Sequence, residues 1–211
     1  MCPFKYLAWK YILLDEIDMK LFSVNALLLC TLAALPFQSN AETAISDQEL
    51  QEARSLVKAF GSNLKSALKP AMKSGGPVNA ITVCNLQAGP ISETVSAQSG
   101  WQVSRTSLKV RNANNTPDTW ELMTLLQFEQ RKAAGEDLKT IEHSELVTQD
   151  GQSVYRYMKA IPTADLCLKC HGSQLDNAVS AKLKELYPYD QAVGFSKGDI
   201  RGAFSLRKIK Q

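Results

Sequence analysis

The clearest structural signal in the chain is the sequence IEHSELVTQDGQSVYRYMKAI at residues 141–161. Two runs rich in β-branched and aromatic side chains, 141–147 and 153–161, flank a short polar segment. That segment contains Asp150-Gly151, a pair that favours the positive φ angles of a tight hairpin turn. The stretch therefore predicts an antiparallel β-hairpin.

The predicted hairpin lies among helical and extended segments. Apolar side chains that recur at spacings of three and four indicate helices, and alternating apolar side chains indicate strands. Gly75-Gly76-Pro77 interrupts the first helical pattern. In chain order the sequence predicts helices at 45–73 and 78–92, a strand at 101–110, a helix at 116–135, the hairpin, a helix at 179–187 and a strand at 199–209. This order predicts an α+β domain with a small antiparallel sheet and packed helices.

The composition is typical of a folded globular protein. The chain has 211 residues, of which 45% are hydrophobic and 21% are charged. These values predict one domain with a hydrophobic core rather than a disordered chain. The net charge of +3 is too small to indicate a nucleic-acid partner.

The N-terminal segment has the pattern of a secretory signal peptide. A short basic region precedes an apolar run at 21–37, and Ala41 ends a small-residue cleavage site. We therefore expect residues 1–41 to be a signal peptide, with the natural start at Met19, followed by a single domain at 42–211. The alternative is a membrane anchor, although about 17 apolar residues are few for a spanning helix. Cleavage would leave a periplasmic domain without a stable membrane span.

The segment DLCLKCHG follows the hairpin and contains Cys167, Cys170 and His171 in the pattern C-x-x-C-H. This pattern is the attachment signature of c-type haem. Two thiols at this spacing add to the two vinyl groups of the porphyrin, and the adjacent histidine offers an imidazole nitrogen to the iron. The attachment is made outside the cytoplasm, in agreement with the predicted signal peptide. The motif predicts one covalently attached haem c per chain.

Three other chemistries use closely spaced cysteines. A disulfide between Cys167 and Cys170 suits an oxidising compartment, but it gives no reason for His171. A structural zinc site needs four ligands, and beyond the motif the mature chain offers only Cys84, without a second close pair. A thioredoxin-like motif belongs near the start of an α/β fold, whereas this motif follows a hairpin late in the chain. The histidine and the position of the motif favour haem.

The residues alone leave the second axial ligand of such a haem open. The other histidine is His143, which lies in a predicted strand. Three methionines, Met72, Met123 and Met158, lie in apolar patterns that are typical of a core. Cys84 is the odd thiol of the mature chain, and a small buried side chain explains it as well as a ligand does.

Several stretches of the chain resemble one family when they are taken together. They are AITVCNLQA at 80–88, SLKVRN at 107–112, PDTWE at 117–121, CLKCHG at 167–172, YPYDQAVGF at 187–195 and GDIRGA at 198–203. This combination resembles the Tll-type cyanobacterial haem proteins, a family of exported single-haem c-type proteins of unknown function. The resemblance covers nearly all of the mature chain. One departure is Ala113-Asn114, where the family has Asn-Pro.

The resemblance implies a PAS-like fold, in which a small antiparallel sheet and packed helices surround one haem. It also implies an unusual pair of axial ligands, the motif histidine and a cysteine thiolate, which correspond to His171 and Cys84. Arg105, Lys109 and Arg111 lie beside the site in the family layout and are candidates to pair with a haem propionate. Because a thiolate stabilises ferric iron, we expect a low reduction potential.

These expectations favour a periplasmic mono-haem cytochrome-like protein for electron transfer or redox response, and not an enzyme. The alternative is a haem-based redox or gas sensor, in which Cys84 leaves the iron and a partner protein responds to the change. A peroxidase-like enzyme would need an acid–base group at an open distal site, for which His143 is the candidate in the sequence. The sequence does not identify the redox partner or the oligomeric state, and a homodimer is one possibility.

Overall fold

The computed structural model describes residues 45–210 and places the predicted hairpin in a four-stranded antiparallel sheet. The strands are β1 (Gln102–Thr106), β2 (Glu142–Gln149), β3 (Gln152–Pro162) and β4 (Ile200–Ile209), in the spatial order β1-β4-β3-β2. Asp150 and Gly151 have φ angles of 52° and 76°, as the hairpin turn requires. The hairpin prediction is therefore confirmed. The predicted signal peptide and the start at Met19 lie outside the described residues.

Within residues 45–210, four α-helices pack around the sheet. They are α1 (Asp47–Ala97), α2 (Thr119–Ala133), the single turn α3 (Leu168–His171) and α4 (Asn177–Leu186). Non-helical backbone angles at Gly75 and Gly76 interrupt α1, at the position that the glycine pair predicts. Asp118 begins α2 with a capping box, which it shares with Glu121. None of these helices is long and apolar enough to cross a membrane.

Each face of the sheet packs against a different helix. Side chains alternate between the two faces of a strand, so Tyr157 and Met158 of β3 lie in different core clusters. The Tyr157 cluster includes Phe60 of α1, and the Met158 cluster includes Leu125 and Phe128 of α2. This arrangement confirms the predicted α+β class with a small antiparallel sheet and packed helices.

A third, smaller cluster joins α4 to the C-terminal half of α1. Ile81 of α1 packs against Val179 and Leu183 of α4, and Cys170 and Tyr187 contact the same cluster. Burial of these apolar side chains holds the C-terminal half of α1 against the cysteine motif.

The structure differs from the sequence-based bounds in three places. β1 ends at Thr106, four residues earlier than predicted, because Ser107 turns the backbone by accepting a hydrogen bond from Lys109 N at 3.1 Å. The helix predicted to end at 92 continues to Ala97 and stops before Gly100, whose φ is 69°. The cysteine motif, which lies outside the predicted helices, forms the helical turn α3.

Gly202 allows β4 to approach the end of β1 closely. A Cβ atom at this position would lie 2.3 Å from the Thr106 carbonyl oxygen, and the φ of 152° disfavours any residue with a side chain. The neighbouring Ser107 donates from Oγ to the Arg201 carbonyl oxygen at 2.8 Å. The glycine therefore fixes Arg201 beside the end of β1.

Candidate cofactor site

The two cysteines and the histidine of the motif lie on one helical turn. Cys167 is the N-cap residue of α3, and its carbonyl oxygen accepts a hydrogen bond from His171 N at 2.9 Å. Residues three and four apart are neighbours on a helix surface, so Cys170 and His171 lie on the same side as Cys167. Cys84, Cys167 and Cys170 are all free thiols in the structure. The turn thus gathers two thiols and one imidazole.

A backbone carbonyl fixes the tautomer of His171. Nδ1 lies 2.7 Å from the Ala192 carbonyl oxygen, and because a carbonyl can only accept, Nδ1 carries the proton. Arg201 Nε lies 3.1 Å from Nδ1 and 3.4 Å from Nε2, and Nε2 is the nitrogen that can accept from it. Burial, followed by the charges of Arg201 and Arg111, lowers the pKa of His171 to about 2. The imidazole is therefore neutral, with Nε2 as the nitrogen that can bind a metal.

The segment between α4 and β4 holds the motif turn in place. Phe195 N donates to the His171 carbonyl oxygen at 2.9 Å, and Gly194 N donates to that of Gly172 at 3.0 Å. The Phe195 ring stands edge-on to the imidazole, with the ring centroids 6.2 Å apart. Both the backbone and the ring of His171 are therefore restrained.

Cys84 reaches this region from the C-terminal half of α1. The residue is half-buried, and burial raises the pKa of its thiol, while the charges of Arg105 and Arg111 act in the opposite direction. Burial also raises the pKa of Cys170, and Cys84 adds to that increase against the effect of Arg111. Ile81 lies one helical turn before Cys84 and packs in the cluster that Cys170 contacts, so α1 brings Cys84 towards the motif turn.

Four cationic side chains lie near the motif: Arg105, Lys109, Arg111 and Arg201. Arg111 pairs with Asp190 at 3.0 Å, but in the described part of the chain no carboxylate lies within ion-pair distance of the other three. Burial, followed by repulsion from Arg111 and Arg105, lowers the pKa of Arg201 to about 10. Burial also lowers the pKa of Arg105. Cations that are partly removed from water without a carboxylate favour an anionic ligand.

Large apolar side chains are exposed along the same segments. Leu86, Leu108, Leu166 and Val193 are 38–63% exposed, and each lies within two residues of Cys84, Lys109, Cys167 or Ala192 along the chain. Exposed apolar side chains that occur together are typical of binding sites. Haem combines an apolar ring with two carboxylates and an iron that binds imidazole and thiolate, so the residues present fit this group.

The other ligands considered from the sequence have different surroundings. His143 lies on β2, with Nε2 3.5 Å from Glu145 Oε2. Met158 is fully buried in the core beside α2, Met123 is 62% exposed and Met72 is half-buried on α1. Within residues 45–210, no three His, Cys, Asp or Glu side chains are arranged to hold a metal ion by themselves. The zinc alternative therefore gains no support from the structure.

Sequence reasoning missed Asp190, Ala192 and Arg201 as parts of this site. Asp190 and Arg201 lie in YPYDQAVGF and GDIRGA, two of the stretches that carry the family resemblance, so a signal was present. Ala192 acts through its backbone, and its side chain therefore gives no signal. Arg111, one of the candidates for a propionate, is already bonded to Asp190 and to two carbonyl oxygens.

Comparisons with known proteins identify the family of this chain. The family model described as Tll0287-like matches residues 38–208. Among solved structures, the chain is similar to the cyanobacterial haem protein Tll0287, with 25% sequence identity and a TM-score of 0.60. The match covers 79% of this chain and 98% of that chain. A comparison with curated proteins finds no match.

Proposed function

This chain belongs to the Tll0287-like family, and from that premise we propose that it is a c-type haem protein that transfers single electrons or responds to redox state. The observation that carries the proposal is the α3 turn, where Cys167 and Cys170 accompany a neutral His171 whose Nδ1 is bonded to Ala192. In the proposed attachment, each thiol adds its S–H across a vinyl C=C of the porphyrin, so a C–S bond forms and no group leaves. His171 Nε2 is the proposed axial ligand.

We assign the second axial position to Cys84. In support, Cys84 comes from a separate element whose residue Ile81 packs in the cluster that Cys170 contacts. Burial raises the pKa of the Cys84 thiol, and the charges of Arg105 and Arg111 oppose that increase. A thiolate is a strong anionic donor, which favours the ferric state and a low potential. If His171 and Cys84 both hold the iron, the bound group would supply reversible one-electron exchange rather than substrate binding, so we propose no enzymatic activity.

The charges of the site support an anionic cofactor. Arg105, Lys109 and Arg201 are three cations that have no carboxylate within ion-pair distance in residues 45–210. A haem with two propionates and one thiolate ligand would bring negative charge that the ferric porphyrin centre offsets only in part. We propose that these cations balance the remaining charge, which would compensate the partly buried Arg105 and Arg201.

We further propose that the protein is exported and works in the periplasm. The attachment of c-type haem takes place outside the cytoplasm, and the predicted signal peptide is consistent with export. Its partner would then be a redox protein of the same compartment that gives or takes one electron. Carbon monoxide provides the test against the sensor alternative, since binding to the reduced protein would require a protein ligand to leave the iron.

The proposal is tested by exporting the chain in a bacterial host that attaches c-type haem. We expect the purified protein to be coloured and to retain the added mass of one haem after denaturation. The double variant Cys167→Ser/Cys170→Ser should lose the covalent mass, because it has no motif thiol to form a thioether. Each single variant serves as a matched control and should retain one thioether, seen as a shifted absorption band of the denatured reduced haem.

A colourless wild-type protein from a host that loads a control cytochrome would overturn the haem assignment. Covalent haem in the double variant would remove Cys167 and Cys170 as the attachment residues. Circular dichroism of each variant checks that the fold is retained, so that loss of haem is not a consequence of unfolding.

A further inference from the structure

Arg111 is a buried cation at the centre of the contacts that support the motif. Its side chain is 12% exposed and that of its ion-pair partner, Asp190, is 8% exposed. Nε donates to Asp190 Oδ2 at 3.0 Å, while Nη2 donates to the carbonyl oxygens of Cys170 at 2.6 Å and Ala192 at 3.1 Å. One guanidinium therefore joins the cysteine turn to the segment that holds His171.

The Ala192 carbonyl oxygen lies between two side-chain donors. His171 Nδ1 lies 2.7 Å from it and Arg111 Nη2 lies 3.1 Å from it. Asp190 holds the same residue from the other side, because its Oδ1 accepts from Ala192 N at 2.8 Å. Ala192 is fully buried, so these bonds lie in a medium of low polarity, where charge-assisted contacts have their largest effect.

We propose that Arg111 and Asp190 form a positioning pair for His171, which acts through the Ala192 carbonyl to orient the imidazole and to set its strength as a donor. The inference rests on the proposed function, because it takes His171 as an axial ligand. Both residues reach the imidazole through Ala192, so they are positioning residues. Partners of this kind orient ligating histidines and tune the metal in many proteins.

The expected direction of the change in reduction potential follows because Arg111 and His171 donate to the same carbonyl oxygen, that of Ala192. Arg111 draws electron density from the Ala192 oxygen, so that oxygen accepts less strongly from His171 Nδ1. His171 then holds its proton more firmly and donates less through Nε2. Removing the Arg111 charge makes the imidazole a stronger donor, which favours ferric iron and lowers the reduction potential. Removing the Asp190 charge leaves Arg111 without compensation and shifts the potential upward.

The experiment compares the holoprotein with Arg111→Gln, Asp190→Asn and Lys197→Gln. Lys197→Gln is the matched control, since it removes a surface cation that pairs with Asp165 beside the motif turn and has no role in the proposed site. We expect the midpoint potential to fall in Arg111→Gln and to rise in Asp190→Asn. Electron paramagnetic resonance should show changed g-values in Arg111→Gln and unchanged g-values in Lys197→Gln, because only the former alters the orientation and donor strength of His171.

Equal potentials and equal g-values in Arg111→Gln and Lys197→Gln would mean that Arg111 acts only as a distant charge, which overturns the inference. The inference is also overturned if Asp190→Asn and Arg111→Gln both shift the potential in the same direction, because a general loss of order in the site would have that effect. A second variant, Arg111→Lys, retains the charge but offers one nitrogen to the three acceptors of Arg111. We expect the potential of Arg111→Lys to lie nearer to that of wild type than the potential of Arg111→Gln does, while its g-values differ from those of wild type.

Failure of this inference can be told apart from failure of the proposed function. If wild-type protein carries haem and the variants leave potential and g-values unchanged, the haem assignment stands and the positioning pair is wrong. If wild-type protein carries no haem, nitrogen-15 spectra of the two histidines test the pair directly. His171 should then be protonated at Nδ1 in wild type, and the Nδ1 chemical shift should change in Arg111→Gln because the bond to the Ala192 carbonyl becomes stronger. An unchanged Nδ1 shift would overturn the inference.

Discussion

The proposed coordination depends most on a single thiol, that of Cys84. Cys84→Ala removes this donor and leaves Cys167 and Cys170 in place, so we expect the covalent haem to remain. The ferric absorption spectrum should lose its thiolate features, and the midpoint potential should rise because a strong anionic donor is gone. Thr82→Ala is a matched control on the same helix, since its hydroxyl bonds within α1 to the Val78 carbonyl. An identical spectrum in Cys84→Ala would exclude Cys84 as a ligand.

The two histidines of the chain form a natural pair for a second test. His171→Ala should lose the low-spin haem spectrum, because the turn α3 no longer offers an imidazole to the iron. His143→Ala should retain it, since His143 lies against Glu145 on β2. Absorption spectra of the two variants, recorded at equal protein concentration, check this prediction. Loss of the low-spin spectrum in both variants would point to a general loss of structure instead.

At the level of elements, the junction of β4 with the end of β1 depends on Gly202. In Gly202→Ala the new Cβ meets the Thr106 carbonyl oxygen at a distance that no packed structure allows, in addition to a strained φ. We expect the free energy of unfolding to fall by about 3 kcal/mol. Urea denaturation of the purified variant measures this change.

Gly198 provides the matched control for that substitution. It also has a positive φ, of 86°, but an added Cβ would meet no atom within 4 Å. Gly198→Ala should therefore cost only the backbone strain, about 1 kcal/mol. Equal losses in the two variants would show that strain alone, and not the close approach to β1, makes Gly202 necessary.

At the level of the whole molecule, Glu142 connects the N-terminal half of α1 to the sheet. Its carboxylate accepts from Arg54 Nε at 3.0 Å, Tyr157 Oη at 2.8 Å and Lys159 Nζ at 3.3 Å. Burial opposes ionisation of Glu142, but the bonds from Arg54 and Tyr157 and the charge of Lys159 outweigh it, and the pKa is lowered. A carboxylate with a lowered pKa stabilises the folded state at pH values above the pKa of the unfolded chain.

Glu142→Gln should therefore destabilise the protein at neutral pH and have less effect in acid. We expect a loss of about 1 kcal/mol in the free energy of unfolding at pH 7, because the group is partly exposed. The difference from wild type should shrink as the pH falls below about 4.3, the ordinary value for glutamate, and through the lower pKa of the folded state. Thermal unfolding at several pH values checks this trend.

Glu185→Gln is the control for the effect of a surface carboxylate. Glu185 pairs with Lys182 at 2.6 Å, and its side chain is 59% exposed, so we expect almost no change in stability at any pH. A loss in Glu142→Gln that does not vary with pH would contradict the assigned role of the ionised carboxylate.

Features that depend on neighbours along the chain were predictable from the residues. Asp150-Gly151 specifies the hairpin because only a few residue types tolerate two successive positive φ angles. Gly75-Gly76 interrupts α1 for the related reason that glycine readily leaves the helical conformation. The spacing of Cys167, Cys170 and His171 also indicates the chemistry of the motif, since three residues within five positions need no tertiary structure to lie together.

The side chains that support that motif, in contrast, were revealed only by the packed fold. The bond from Arg111 to Cys170 joins residues 59 apart in the chain, and that from Arg201 to Ser107 joins residues 94 apart. No local pattern encodes such contacts, because they follow from how α1, α4 and the sheet pack. For the same reason the sequence indicated Arg111 as a candidate to pair with a propionate. In the structure Arg111 instead bonds to Asp190 and to the Ala192 carbonyl oxygen, which also accepts from His171.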